Sequence, residues 1–286
     1  MNEIIYLNGF LMPIEQANIS VLDYGFLYGY GLFETMRAYS GHIFLLDRHL
    51  ERLNNAVKIL GISIEEQDIK TAIRDTLKAN NLDNSRIRLT VTPGKGTMVP
   101  NPDTCSEPTI LILATHFQPY SEQIYNRGYT AIISNIRRNS QSFLCNIKSV
   151  SYLESIMAKQ EAKKAGADEA IFLNDHGLLA EASMSNIFLV TNNALRTPAI
   201  NSGILPGITR KFILELAGQS GVTVIEEDIE LKDLFAAQEA FLANSLIEIM
   251  PLVSLEHTTI GTGTPGHITR KLMQSYREKT RQSQWF

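Results

Sequence analysis

Residues 146–154 read Asn146-Ile147-Lys148-Ser149-Val150-Ser151-Tyr152-Leu153-Glu154. Residues 142–147 lead up to a lysine, and Ser151 with Glu154 three positions on forms a capping-box pattern that opens a helix. Leu153, Ile156, Met157 and Ala162 give that helix an apolar stripe, and Gly166 marks its end. Lys148 therefore stands at a strand-to-helix junction. A lysine partly withdrawn from water at such a place has a lowered pKa and becomes an amine nucleophile. By itself, a loop lysine is more often solvated. Its meaning rests on what the rest of the chain places around it.

Downstream, 169–173 and 178–181 read as strands flanking the turn Asn174-Asp175-His176-Gly177, and 186–190 reads as a third. Residues 207–217 are helical with Gly218 beyond them, 240–243 and the region of Ile249 are strand-like, and 267–280 form a terminal helix. Upstream, 129–133 reads as a strand, and the polar, aperiodic stretch 119–127 as a linker. Before it, short strands at 4–7 and 10–12 flank the turn Asn8-Gly9, and a glycine-spaced segment covers 24–37. A strand at 42–46 precedes a helix carrying Leu50, Leu53, Val57 and Leu60 on one face, and a second helix spans 66–80. Strands follow at 85–92 and 109–114.

Strands come in clusters and not in strict alternation with helices, which argues against a doubly wound nucleotide fold. The expected organisation is two halves of mixed α+β or α/β character: a small N-terminal α/β domain over 1–118, a linker over 119–127 and a larger C-terminal domain over 128–286. With 44% hydrophobic and 20% charged residues, the chain can bury packed cores. A net charge of −4 excludes the basic footprint of a nucleic-acid binder. The first ten residues, MNEIIYLNGF, lack the basic start and long apolar run of a signal peptide, and no stretch approaches the ~18 apolar residues of a membrane span. Two widely spaced cysteines and six scattered histidines fit a reducing cytoplasm and no metal site.

Other positions offer single groups, each of which alone reads as well or better as a surface acid, an ordinary helix entry, a solvated helix face or a plain turn. Glu181 ends an apolar run, and a buried acid needs a partner such as a protonated ring nitrogen. Leu205-Pro206-Gly207-Ile208-Thr209 feeds a helix whose first N–H groups can bind phosphate, with the Thr209 hydroxyl as a further donor. No Walker P-loop pattern occurs. Arg52, beside Arg48 and His49, can serve as a fixed cation for phosphate, and Ser245 offers a hydroxyl at a strand end. Cys145, three positions before Lys148, reads as an inert thiol.

In this order along the chain, the pieces resemble one family, the class IV aminotransferases of fold type IV, which bind pyridoxal 5′-phosphate (PLP). The resemblance rests on Tyr28-Gly29-Tyr30-Gly31-Leu32-Phe33-Glu34-Thr35, Asn146-Ile147-Lys148-Ser149, Ala158-Lys159-Gln160-Glu161-Ala162, Asp168-Glu169-Ala170, Ala180-Glu181-Ala182-Ser183-Met184-Ser185-Asn186 and Leu205-Pro206-Gly207-Ile208-Thr209-Arg210. It implies a small α/β domain and a larger domain with a β-rich, barrel-like core, the cofactor in the cleft, and a homodimer. Lys148 matches the Schiff-base lysine, Glu181 the partner of the pyridine nitrogen, and Arg52, Ile208, Thr209 and Ser245 the phosphate contacts. Tyr152 looks like the tyrosine near the phenolic oxygen, and Leu205 like a leucine that packs on the ring. Arg88, Tyr30 and Leu246 match positions on the substrate side.

Residues 146–174 look most like branched-chain amino acid aminotransferases, whereas 29–37 and 243–251 look more like aminodeoxychorismate lyases. Branched-chain enzymes usually carry F-E-G and G-T-A-A in those two stretches, and relatives usually have glycine where this chain has Ala182 and Met184. The resemblance implies a transaminase acting between an amino acid, branched-chain among the candidates, and a 2-oxo acid. A lyase forming 4-aminobenzoate and pyruvate stands as the alternative, and a non-catalytic PLP-binding protein as a remote one.

Overall fold

The structure is a computed structural model that describes residues 3–105 and 107–282. The chain divides into two compact units. The first runs to Gln118 and also takes in Ile147–Ser151, while the second holds Pro119–Asn146 and Tyr152–Arg281.

In the first unit, β1 (Ile4–Leu7) and β2 (Phe10–Pro13) form a hairpin closed at Asn8 and Gly9. The short α1 (Tyr24–Tyr28) is capped by Asp23, whose carboxylate accepts from the Gly25 N–H. There follow β3 (Leu32–Tyr39), β4 (His42–Ile43), α2 (Leu46–Ile59), α3 (Glu66–Ala79), β5 (Ser85–Thr92) and β6 (Thr109–His116). Among the described residues, these six strands pair antiparallel in the order β2-β1-β6-β5-β3-β4. Side chains alternate across a strand. Ile87, Leu89 and Val91 of β5 therefore share one face, where they join Leu50, Leu53 and Val57 of α2 and Ile69 and Ile73 of α3 in a core. Phe33 and Thr90, paired across β3 and β5, belong to the opposite face with Arg88.

The second unit contains α4 (Glu122–Arg127), β7 (Tyr129–Arg138), α5 (Leu153–Lys164), β8 (Glu169–Asn174), β9 (Leu179–Ala182), β10 (Asn186–Thr191), β11 (Ala194–Pro198), α6 (Ile208–Gln219), β12 (Thr223–Glu227), α7 (Leu231–Phe235), β13 (Glu239–Asn244), β14 (Glu248–Leu255), β15 (Thr258–Thr259) and α8 (His267–Gln282). Eight of its strands run β12-β11-β10-β13-β14-β7-β8-β9, and β15 pairs with β14. This curled, half-barrel sheet mixes parallel pairs (β11/β12, β14/β7, β7/β8) with antiparallel ones. Every residue of β8 and β9 is buried, because the sheet is covered on both faces. One face joins Ile171, Leu173 and Leu242 to Leu234 of α7, and the other joins Ala170, Phe172 and Ala180 to Ala158 and Ala162 of α5.

Several expectations change. Helix α5 starts at Leu153 with no side-chain cap. The Ser151 hydroxyl is used elsewhere, donating to the Gly29 carbonyl at 3.0 Å, so the capping box does not form. The stripe of Leu153, Ile156 and Met157 is exposed, while Ser155, Ala158 and Ala162 face the sheet. Small residues let the helix lie close over Phe172. Residues 119–127, expected as a linker, carry α4 and fall in the second unit. Residues 143–146 form a 3-10 turn before Lys148, and α6 runs through Gly218 to Gln219.

Candidate active site

Lys148 lies in the first unit because its backbone pairs there. Ser149 bridges Leu32, the Phe33 N–H donates to the Lys148 carbonyl at 2.9 Å, and the Val150 N–H donates to the Gly31 carbonyl at 3.0 Å. Gly29 makes this docking feasible: its φ is +63°, and a Cβ there would lie 2.7 Å from the Ser151 hydroxyl. The Lys148 amine sits 4.4 Å from the centroid of the Phe33 ring, and the Arg88 guanidinium carbon sits 3.9 Å from the same centroid. Tyr30 is not gathered with them. Its ring packs against the helix-covered core, and its hydroxyl donates to the Leu60 carbonyl at 2.6 Å.

Arg52 is built into an ion cluster on the helix side of β3. Its Nε and Nη2 donate to the two carboxylate oxygens of Glu34 at 2.8 and 2.7 Å, and His49 Nδ1 lies 2.7 Å from Glu34 Oε2. Burial alone would raise the Glu34 pKa, but the Arg52 charge and the His49 hydrogen bond outweigh it and bring it down to about 2. With Glu34 ionised, His49 Nδ1 is the donor. Burial holds the His49 imidazole below its ordinary value against the pull of Glu34, with the charges of Arg52 and Lys148 adding to the depression.

In the second unit, Glu181 is buried on β9. It accepts from the Leu205 N–H at 3.1 Å and from Asn186 Nδ2 at 3.4 Å, and Arg138 Nη2 lies 3.4 Å away. Arg138 also donates to Glu154 at 2.9 Å and Ser155 at 3.1 Å, and its guanidinium lies over Phe172, 4.3 Å from the ring centroid. Tyr152 precedes α5. Burial first, then the Glu181 charge, push its pKa up to about 12 despite the opposing pull of Arg138. Burial likewise raises the Cys145 thiol, which keeps it protonated and unreactive.

Ile208 and Thr209 are the first two residues of α6, behind Gly207 as N-cap with no side-chain cap and no acid in the first turn. The terminus is thus suited to an anion. Gly207 is required by packing, since a Cβ would lie 2.0 Å from Asn186 Oδ1. Ser245 and Leu246 occupy the turn between β13 and β14. Asn244 braces that turn: its Oδ1 accepts from the N–H groups of Leu246 and Ile247 at 2.8 and 3.0 Å, while its Nδ2 donates to the Met184 carbonyl at 3.0 Å.

Residues 31–255 match the family described as Amino-transferase class IV. The chain belongs to the class IV aminotransferases. A Methanocaldococcus jannaschii protein assigned by name to the branched-chain-amino-acid aminotransferases is 38% identical over 277 residues, covering 96% of this chain and 95% of that one. The aminodeoxychorismate lyase of Bacillus subtilis (strain 168) is 36% identical over 282 residues, covering 96% and 94%. The crystal structure of the T.th. branched-chain amino acid aminotransferase with pyridoxamine 5′-phosphate matches with a TM-score of 0.93 at 29% identity, over 98% of this chain and 94% of that one. This class IV aminotransferase accordingly has the two-domain fold type IV architecture and is a PLP-dependent enzyme.

Its residues fit that cofactor. Each unit by itself holds groups of the kind this cofactor calls for: a buried carboxylate and an uncapped helix start in the second, and a lysine with a docked backbone and an arginine in the first. Sequence reasoning missed the supporting side chains: Glu34, His49, Phe33, Arg138, Asn186 and Asn244. Asn244 alone carried a local signal, since asparagine at the start of a turn accepts from the N–H groups that follow.

Proposed function

We propose that this class IV aminotransferase transfers an amino group between an amino acid and a 2-oxo acid, with Lys148 as the amine that carries PLP and a branched-chain amino acid as the first donor to test. The observation that supports this most is the anchoring of the Lys148 segment: the Lys148 carbonyl accepts from the Phe33 N–H, the Val150 N–H donates to the Gly31 carbonyl, and the Ser151 hydroxyl donates to the Gly29 carbonyl.

When bound, PLP withdraws electrons from the substrate Cα and makes its proton acidic. Lys148, as free amine, takes the proton from Cα. Glu181, held in place by Leu205 and Asn186, would keep a proton on the ring nitrogen. Arg52, the N–H groups of Ile208 and Thr209, and the Ser245 hydroxyl would hold the phosphate, and Leu205 would pack on the ring. Tyr152, kept protonated by its raised pKa, would donate to the phenolic oxygen. Arg88 and Leu246 would meet the substrate.

The test is the visible absorbance of the purified protein, at ~410 nm for the lysine-bound cofactor. Addition of a branched-chain amino acid bleaches the band, and a 2-oxo acid restores it. Lys148→Ala retaining the normal band would sink the reading. The lyase alternative is favoured by the 36% identity to the Bacillus subtilis enzyme. Release of pyruvate from aminodeoxychorismate with no 2-oxo acid present would reverse the order.

The proposal extends to a cytoplasmic homodimer. Two unpaired cysteines fit a reducing compartment. Phe10, Val21 and Phe26 in the first unit and Leu153, Ile156 and Met157 in the second are exposed, and large apolar side chains of this kind are candidates for covering in a subunit interface. Sedimentation should give twice the 32.0 kDa chain mass. A monomer at micromolar concentration would overturn this part.

A further inference from the structure

Phe33 holds Lys148 in two ways. Its backbone N–H donates to the Lys148 carbonyl at 2.9 Å, and its ring lies 4.4 Å from the Lys148 amine. The same ring lies 3.9 Å from the Arg88 guanidinium carbon, and Phe33 is only 4% exposed. A ring face attracts a cation through its quadrupole within ~6 Å of the centroid, and does so more strongly where water is excluded. Leucine or methionine would fill similar space without that attraction.

Among the described residues of this unit, charged and titratable groups on three elements bear on this amine. Arg88 on β5 shares the ring. Glu34 on β3 is bound to Arg52 and His49 on α2, and the His49 imidazole senses the Lys148 charge. The two arginines disfavour an ammonium at position 148 and Glu34 favours it. The ring adds an attraction that carries no charge of its own.

We propose that Phe33 is a positioning residue for Lys148: its ring seats the ammonium form beside Arg88 and offsets the repulsion between the two cations. This rests on Lys148 being the cofactor lysine. The ring keeps the side chain aimed and its proton retained to a higher pH than the flanking arginines alone would allow.

The test uses the full-length chain freed of cofactor, with PLP as the probe. The neutral Lys148 amine attacks the aldehyde carbon, a C=N bond forms and water leaves, so the rate at which the visible band appears across pH reports the neutral fraction of that amine. Phe33→Leu and Phe33→Met should move the midpoint of the pH profile down by ~0.5 unit, the scale of an exposed to partly desolvated cation–π contact. Phe33→Tyr, which keeps the ring, should leave it in place. Arg88→Gln should move it up, because one repelling cation is gone. Unchanged midpoints in both Phe33→Leu and Phe33→Met, or a downward shift in Arg88→Gln, would overturn the seating role. Lys148→Ala separates this from the underlying reading: no band supports Lys148 as the amine, and a normal band means that reading has failed first.

Discussion

Two buried carboxylates in this enzyme are held in contrasting ways. Glu34, in the first unit, is locked by a bidentate arginine and a histidine, all at 2.7–2.8 Å. Glu181, in the second, is met by a backbone N–H, an amide and a guanidinium at 3.1–3.4 Å. Short charge-assisted contacts close a carboxylate into the framework. The three contacts described for Glu181 are longer, and two of them come from neutral groups. The difference separates a carboxylate that shapes Arg52 from one that, on the proposed reading, would serve the cofactor ring.

The comparison breaks if both acids behave alike when neutralised. Glu181→Gln keeps an acceptor for the Leu205 N–H, so melting should move little while turnover falls ~10²–10⁴-fold, the range of a lost proton-holding group. Steady-state rates beside a thermal melt check this. Glu34→Gln should do the reverse first, costing roughly 3–5 kcal/mol of stability by leaving Arg52 without its buried partner. For a chain of this size that is a fall of about 10 °C in Tm, read by calorimetry.

The contrast can be sharpened with acid. The folded Glu34 pKa, about 2, lies below the ordinary 4.5, so its contribution is complete above pH ~4.5 and is lost as pH falls toward 2. Acid unfolding followed by circular dichroism should show that slope in the wild type and a flatter one in Glu34→Gln. The smallest effect belongs to Tyr152. With its pKa near 12, it stays a proton donor to pH 10, and Tyr152→Phe should cost roughly tenfold in rate, the scale of one hydrogen bond. A wild-type pH–rate profile with a step at pH 8–9 that vanishes in Tyr152→Phe would contradict this.

What could be read from the sequence follows the range of the interactions. Strand 85–92 and the first helix were legible because alternation and the three- and four-residue spacing of Leu50, Leu53 and Val57 are local patterns. Helix α5 was legible as a helix, but not in its orientation. A stripe marks an apolar face without saying what covers it, and here Ala158 and Ala162 take the sheet while Leu153, Ile156 and Met157 stay outside. Strands β11 and β12 went unassigned because Arg196, Glu226 and Glu227 interrupt their apolar pattern. At the candidate site, Lys148, Glu181, Arg52 and Thr209 stand out in the sequence by their order along the chain. Their supports were not, since Glu34 reaches Arg52 across 18 residues and Glu181 meets Leu205 across 24, distances at which no local motif forms.

The pairing of Ser151 with Gly29 spans 122 residues. Contacts of such separation form late, because a long loop must close before they reward the chain. A nascent or refolding chain must close a loop of that length before the Lys148 segment is docked on β3. On the proposed reading, PLP added at the start of refolding should stabilise the finished enzyme without accelerating its assembly.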